Sequence, residues 1–278
     1  MKPAAQKDDA LLADIARARS AARPRLWWLG QSGFLLQTPA VTILFDPYLS
    51  DSLTTKYAAT DKPHTRITER VIAPERLTGI DVITSSHNHT DHLDAETLLP
   101  LLAANPAARL LIGGANRDFV LGRLGESAAA RLETVEAGEN VTFAGVEFHG
   151  IPAAHNLVER DTQGRCRFLG FVARLAGRTV YHSGDTLWHD QLVASLAPFH
   201  PDLALVPING NLPERRVAGN LNGREAAALA HAIGAGLAVP HHFDLFEFNT
   251  ASPDEFAAEC RRLGQRYQVL ANGEGLEL

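Results

Sequence analysis

The feature that most constrains this chain is a His-Asn-His-Thr-Asp-His stretch at residues 87–92. It directly follows residues 80–84, a β-branched apolar run that predicts a buried strand. On an extended backbone the first two histidines point the same way, whereas the aspartate and last histidine join them only if the chain turns. The spacing therefore favours two adjacent metal sites over a loop that is histidine-rich by chance.

Further residues of metal-ligand type stand just after predicted strands elsewhere in the chain. They are His155, Asp185 and His242. Loops at one edge of a sheet converge in space, so ligands distant in sequence can meet there. Each of these residues alone is weak evidence, but together with residues 87–92 they predict one cluster.

The remaining pattern predicts short strands and helices in alternation. Strands are expected at residues 26–29, 34–36, 41–45, 80–84, 110–112, 132–135, 141–143, 146–151, 168–175, 178–182, 203–206, 237–239 and 267–270. Helices are expected at residues 8–19, 95–102, 116–124, 187–196, 222–233 and 253–263, the fifth of them opened by an Asn222–Glu225 capping box. No linker that would separate two domains is evident. We therefore expect a single domain, residues 25–278, preceded by an N-terminal helical extension, residues 1–24.

Residues 48–78 show no clear period and are interrupted by prolines. Long aperiodic loops inside compact domains are usually functional covers or disordered segments. We expect a lid over the site that carries Tyr48, Lys56, Tyr57 and His64. A meandering surface loop is the alternative.

Composition limits the classes of partner and compartment. The net charge of −6 gives no electrostatic reason to expect a long nucleic acid as partner, and it leaves room for local basic clusters. Two distant cysteines, Cys166 and Cys260, indicate a reducing compartment. No run approaches the roughly 20 apolar residues of a membrane span, and no signal peptide is evident. We expect a cytoplasmic protein that acts on a small-molecule substrate away from membranes, and leave homo-oligomerisation open.

These motifs resemble the metallo-β-lactamase-fold hydrolase superfamily, whose pattern is His-x-His-x-Asp-His followed by a lone His, a lone Asp and a final His after strands. The resemblance implies an α/β fold, a four-layer αββα sandwich of two mixed β-sheets packed face to face with helices on the outer faces. It also implies the ligands: one metal would take His87, His89 and His155, a second would take Asp91, His92 and His242, and Asp185 would bridge them.

The resemblance also suggests which residues support the ligands. The final family motif is Pro-x-His, which selects His242 over His241 as the metal ligand. His241 is then expected to face the substrate or to support a metal-binding side chain. Asp46 matches an aspartate after an early strand and is expected to accept a hydrogen bond from a ligand histidine, with turn capping as the alternative. His182 and Tyr48 are assigned to ligand support or substrate contact.

Within the superfamily, residues 27–30, 181–185 and 240–242 look like the branch named for ascorbate-6-phosphate lactonase. The resemblance covers about Leu26 to Asn249. It implies hydrolysis of a phosphorylated sugar lactone, often with manganese. The connections around the site look shorter than in the lactonase, so the particular lactone stays open.

The ligand types indicate how such a site would work. Imidazole and carboxylate donors suit two divalent ions, with zinc or manganese favoured and iron also compatible. Two cations about 3.5–4 Å apart would share a bridging hydroxide, and this hydroxide would open a lactone or related ester. Asp91 would be catalytic, because it can receive the proton that passes to the leaving group.

Three rival functions remain at this point: a phosphodiesterase for small or cyclic diesters, a thioesterase, and a metal-binding scaffold without turnover. A phosphorylated substrate would need cations at the mouth of the site. Candidate side chains in or beside loops are Arg117, Arg160, Arg165, Arg215 and Arg216, although each is also explained as an ordinary solvated charge.

Overall fold

A computed structural model describes all residues from 1 to 278, and its first sheet is a mixed seven-stranded one. Its strands are β1 Arg25–Gly30, β2 Gly33–Gln37, β3 Thr42–Phe45, β4 Val82–Ser85, β5 Arg109–Gly113, β6 Leu132–Val135 and β13 Gly275–Glu277. Their order in space is β13-β1-β2-β3-β4-β5-β6. The pairs from β3 to β6 are parallel and those from β13 to β3 are antiparallel.

The second sheet has six strands and is also mixed. Its strands are β7 Asn140–Phe143, β8 Val146–Pro152, β9 Leu169–Leu175, β10 Arg178–His182, β11 Leu203–Pro207 and β12 Leu237–His241. Their order is β12-β11-β10-β9-β8-β7, with parallel pairing among β10, β11 and β12. Two mixed sheets with helices confirm the predicted sandwich.

The helices are α1 Asp8–Ser20, α2 Ser52–Tyr57, α3 Ala95–Ala104, α4 Arg117–Leu124, α5 Leu192–Leu196, α6 Gly223–Ala232 and α7 Asp254–Leu263. Short 3-10 turns lie at Pro74–Arg76, Gly114–Asn116, Glu126–Arg131 and Pro213–Arg215. Helices α1, α3 and α4 share a buried cluster with the first sheet, whereas α6 and α7 belong to the cluster that joins both sheets.

Strand β1 shows how alternation builds these layers. Trp28 points between the sheets, where its ring stacks 4.5 Å from that of Phe243, and it shares a buried cluster with Leu205 of β11. Trp27 points the opposite way and packs with Leu11 of α1. Successive side chains of a strand face opposite sides, so an apolar strand serves two cores at once.

Two predicted elements were wrong. In addition, residues 48–78, where no regular structure was predicted, contain the short helix α2, whose one buried residue, Leu53, gives no periodic signal. The helix predicted at 187–196 begins only at Leu192, because the Leu187 amide bonds to the Ala154 carbonyl of another loop instead. The strand predicted at 267–270 is a single bridge, and the chain's last strand is β13, beside β1.

The capping box at the start of α6 is present in both directions, as predicted. The hairpin predicted around residues 176–177 also forms between β9 and β10, with both turn residues at positive φ. No helix in the chain combines the length and apolarity needed to cross a lipid bilayer.

Candidate metal centre

The site lies where four strands end, one from the first sheet and three from the second. Strand β4 leads into residues 87–92, and strands β8, β10 and β12 lead to His155, Asp185 and His242. The two sheets therefore both contribute to one cluster.

Three groups of ligand-type residues are close enough to hold an ion. Within each group, the nitrogen or oxygen atoms lie within 4.8 Å of one another. The groups are His87 with His89 and His155, His87 with His92 and Asp185, and Asp91 with His92 and His242. All seven residues that the sequence singled out as ligands thus come together.

Asp185 occupies the middle of the cluster. Its Oδ2 lies 3.4 Å from His155 Nε2 and 3.4 Å from His242 Nε2, while its Oδ1 lies 3.3 Å from His92 Nε2. One carboxylate therefore faces histidines of both predicted ligand sets.

A glycine allows this close approach of the two sheets. Gly184 has φ +56°, and a Cβ placed on it would lie 2.6 Å from Cβ of Ser86. No larger residue fits there without moving the backbone. The contact sets Asp185 beside the end of β4.

Asp46 fixes the orientation of His92. His92 Nδ1 lies 2.7 Å from Asp46 Oδ2, and the imidazole ring and the carboxylate are both fully buried. Thr84 Oγ1 donates to Asp46 over 2.7 Å, and the Ser86 amide donates over 3.2 Å. A carboxylate on Nδ1 directs the other nitrogen, Nε2, towards the cluster.

His155 is held in the same manner by a carbonyl group. Its Nδ1 lies 2.9 Å from the Gly219 carbonyl oxygen, which leaves Nε2 for the cluster. A bonded Nδ1 and a free Nε2 are typical of histidines prepared as ligands.

Unpartnered buried atoms show that the residues fit a metal. Nε2 of His87, Nε2 of His92 and Oδ1 of Asp185 are buried and make no hydrogen bond. Buried polar atoms are normally paired, and a cation would satisfy all three. Nitrogen and oxygen donors without a thiolate match zinc, manganese or iron.

The cluster is electrostatically coupled. Burial by itself would lower the pKa of His242, but Asp185 and Asp91 outweigh it and raise that pKa to about 9. The same carboxylates hold the pKa of His92 well above its usual range, against its burial. Burial and the neighbouring histidines lower the pKa of His87 well below its usual range. The carboxylates thus attract positive charge to this point of the fold.

Comparison with known proteins agrees with this geometry. Residues 41–243 match the family model described as Beta-lactamase superfamily domain. The chain belongs to this superfamily. It is 29% identical to a "UPF0173 metal-dependent hydrolase" of Opitutus terrae, over 91% of this chain and 100% of that protein. A second protein so described, from Methanoculleus marisnigri, is also 29% identical, over 91% of this chain and 96% of its own.

A solved structure from Veillonella parvula, described as a possible metal-dependent hydrolase, has the same fold. It superposes with a TM-score of 0.74 at 15% identity, covering 92% of this chain and 100% of that one. The likeness between the two proteins is one of fold.

In this superfamily member, His241 and His182 lie behind the ligands rather than in the cleft. Their rings stack in parallel with centroids 5.2 Å apart. Nε2 of His182 lies 2.8 Å from the Ser32 carbonyl oxygen, and the Gly184 amide donates to its Nδ1. His241 is fully buried, with Nε2 at 3.3 Å from Ser183 Oγ. These contacts place both rings as support for the Asp185 loop, away from a substrate.

A cleft of about 520 Å³ opens over the cluster. Lys56, Tyr57 and His64 from the predicted lid segment line one wall. Tyr48 does not line it: the residue is buried, and its hydroxyl accepts a hydrogen bond from the Leu53 amide. Tyr48 therefore holds the start of α2.

Four residues near the cluster were missed by the sequence reasoning. They are Gln31, Lys62, Phe119 and Arg123. Gln31 had a usable signal, since it follows an apolar strand as the ligands do. Phe119 and Arg123 lie on the predicted helix at residues 116–124, where nothing in the sequence marks which side chains face the site, and Lys62 lies in a segment without a distinctive pattern. None of the five arginines proposed from sequence lines the cleft.

Proposed function

We propose that this chain is a metal-dependent hydrolase that binds two divalent cations. The position of Asp185 between both histidine sets is the observation that carries the proposal. The ligand sets are His87, His89 and His155 for one ion, Asp91, His92 and His242 for the other, and Asp185 for both. Zinc, manganese and iron all suit these donors.

Bound cations would supply a water of lowered pKa and an electrophile that polarises the oxygen of the scissile group. Proton transfer and the orientation of the ligands are tasks of the protein's own residues. Asp91 would accept the proton of the attacking water and pass it to the leaving oxygen. Asp46 and the Gly219 carbonyl would keep His92 and His155 from rotating during that transfer.

For the substrate we propose a lactone or related ester, in keeping with the similarity of residues 27–30 and 240–242 to the ascorbate-6-phosphate lactonase branch. A lactone needs a proton on its leaving alkoxide, and Asp91 faces the cleft to give one. A small or cyclic phosphodiester is the second candidate, because the same ligands would serve it. Hydrolysis of a thioester would use the same metal ligands. A metal-binding scaffold would bind the ions with the same residues but would catalyse no reaction. We further propose that the protein acts in the cytoplasm.

The test is turnover before and after metal removal. The purified chain is stripped with a chelator, reloaded separately with zinc, manganese or ferrous iron, and assayed on lactones, phosphodiesters and thioesters. We expect hydrolysis only after reloading, with two ions bound per chain. Hydrolysis that persists in stripped protein would end the proposal.

A matched pair of variants tests the shared ligand. Asp185→Asn should reduce binding at both positions and lower kcat by at least about 100-fold, since outer partners alone typically cost 10–100-fold. Asp190→Asn, at an exposed aspartate nearby, should behave as wild type. Loss of only one ion in Asp185→Asn would contradict the bridging assignment.

A further inference from the structure

We infer that the cleft selects substrates carrying a carboxylate or phosphate group, and that Arg123 is the principal residue binding it. This inference rests on the proposed function, because it concerns the substrate of that site. The inference defines the substrate class by a negatively charged group on the substrate.

The first support is the charge of the cleft lining. Lys56, Lys62 and Arg123 line it, and its only acidic residues are the candidate ligands Asp91 and Asp185. None of the three cations forms an ion pair with a carboxylate; their nearest partners are a hydroxyl and carbonyl groups. The chain as a whole has 32 acidic and 26 basic residues. A group of cations without acidic partners therefore contrasts with the net negative charge of the chain. An anion is the missing partner.

The second support is the way in which Arg123 is held. Its Nη1 donates to the carbonyl groups of Asn88, over 3.0 Å, and Leu93, over 2.8 Å. Its guanidinium carbon lies 4.5 Å from the centre of the Phe119 ring. Nε and Nη2 make no hydrogen bond with the protein. A fixed guanidinium with unused donors is prepared for two-point binding of a carboxylate or phosphate.

The third support is the position of Arg123 next to the metal loop. Asn88 and Leu93 flank the ligands of residues 89–92, so Arg123 lies directly beside the metal loop. On the same loop, Lys56 Nζ donates to Thr90 Oγ1 over 3.2 Å. A small substrate can therefore reach Arg123 with one end and the ligand cluster with the other.

Arg123 also stabilises the metal loop, and the test must separate these two roles. The probes are dicarboxylates from malonate to adipate, the monocarboxylates of equal length, and 3-phosphonopropanoate, titrated into zinc-loaded protein by calorimetry. A monocarboxylate has one anionic group, so it can bind the metals or Arg123 but cannot bind both at once. A dicarboxylate of the right length reaches the metals and Arg123.

For wild type we expect one dicarboxylate to bind about tenfold or more tightly than its monocarboxylate, as one charged hydrogen-bonded pair would give. In Arg123→Gln this preference should disappear while zinc content and monocarboxylate affinity stay within about twofold of wild type. Tighter binding of the phosphonate than of succinate would indicate that the site prefers a phosphate group; the reverse would indicate a preference for carboxylate.

Arg117→Gln is the matched control, because Arg117 is exposed on the same helix and does not line the cleft. It should keep the full preference. Lys56→Gln, at an exposed lysine, should lower the preference about threefold and gives an answer if Arg123→Gln fails to fold. Equal binding of dicarboxylates and monocarboxylates by wild type would overturn the inference, as would a preference unchanged in Arg123→Gln. Since no turnover is needed, these results are independent of whether the protein proves to be a hydrolase.

Discussion

Gln31 donates its side-chain amide to Asp91, with Nε2 at 2.8 Å from Oδ2. The same Nε2 lies 3.0 Å from His242 Nε2, so one amide contacts two residues of the candidate second ion. Gln31 is buried and has φ +49°, a conformation that non-glycine residues seldom adopt. Such local strain is retained where surrounding structure and function demand it.

We therefore expect Gln31→Ala to weaken binding of the second ion and to lower kcat, each by about 10–100-fold, because Asp91 loses the donor that orients it. Chelator competition and steady-state kinetics on the reloaded protein measure these effects. Gln163→Ala, at an exposed turn, is the control. Wild-type affinity and kcat in Gln31→Ala would show that the contact is dispensable.

Asp46→Asn should affect one ion more than the other. The substitution removes the carboxylate that accepts from His92 Nδ1, so His92 no longer has a fixed orientation. We expect the affinity of the second ion to fall about 10–100-fold, with little change for the ion held by His87, His89 and His155. Metal titration with two resolved steps gives the readout. Equal weakening of both steps would point to general loosening of the fold.

Metal uptake should depend on pH. The pKa of His242 is about 9 in the metal-free chain, raised by Asp185 and Asp91. A bound proton must leave before the nitrogen can bind an ion, so affinity rises with pH up to about 9 and binding near pH 7 releases protons. Calorimetry in two buffers of different ionisation enthalpy counts them. Binding at pH 7 without proton release would contradict this expectation.

Asp14 should contribute to folding stability through helix α1. It accepts hydrogen bonds from Trp27 Nε1 over 2.9 Å and from Gln6 Nε2 over 3.0 Å. Burial would raise its pKa, but these bonds and Arg25 outweigh burial and lower it. We expect Asp14→Asn to reduce the free energy of unfolding by about 1–2 kcal/mol at pH 7.

The sign of the pH effect follows from that lowered pKa. A carboxyl group with a lower pKa in the folded state stabilises the fold above its unfolded pKa of about 3.9 and ceases to do so as pH falls through the folded value. The difference between wild type and Asp14→Asn in urea unfolding should therefore shrink below about pH 4. Asp9→Asn, at an exposed position of the same helix, removes only a solvent-screened ion pair with Arg76 and should change stability by less than about 0.5 kcal/mol.

The sequence predicted most of the strands and the meeting of the ligand residues from local patterns, whereas the arrangement of those strands in two mixed sheets followed from the family resemblance. Apolar strands followed by His or Asp are visible in one dimension, as at His155 and His242. Arg123 and Lys62 were not predictable, because their position over the cleft depends on how α4 and the segment before residue 64 pack. Likewise β13 consists of a few residues whose strand character comes entirely from pairing with β1.

The cluster contains side chains from both sheets, so metal binding should affect how firmly the two sheets are held together. Ions bound by residues 87–92 together with Asp185 and His242 would fasten the halves of the sandwich at one end, acting as a cross-link between parts far apart in the chain. Any ligand that binds only the folded state stabilises it in proportion to the logarithm of its concentration over Kd. Loading the metals should therefore disfavour separation of the two sheets, and the metal-free chain should be cleaved by proteases faster than the loaded chain.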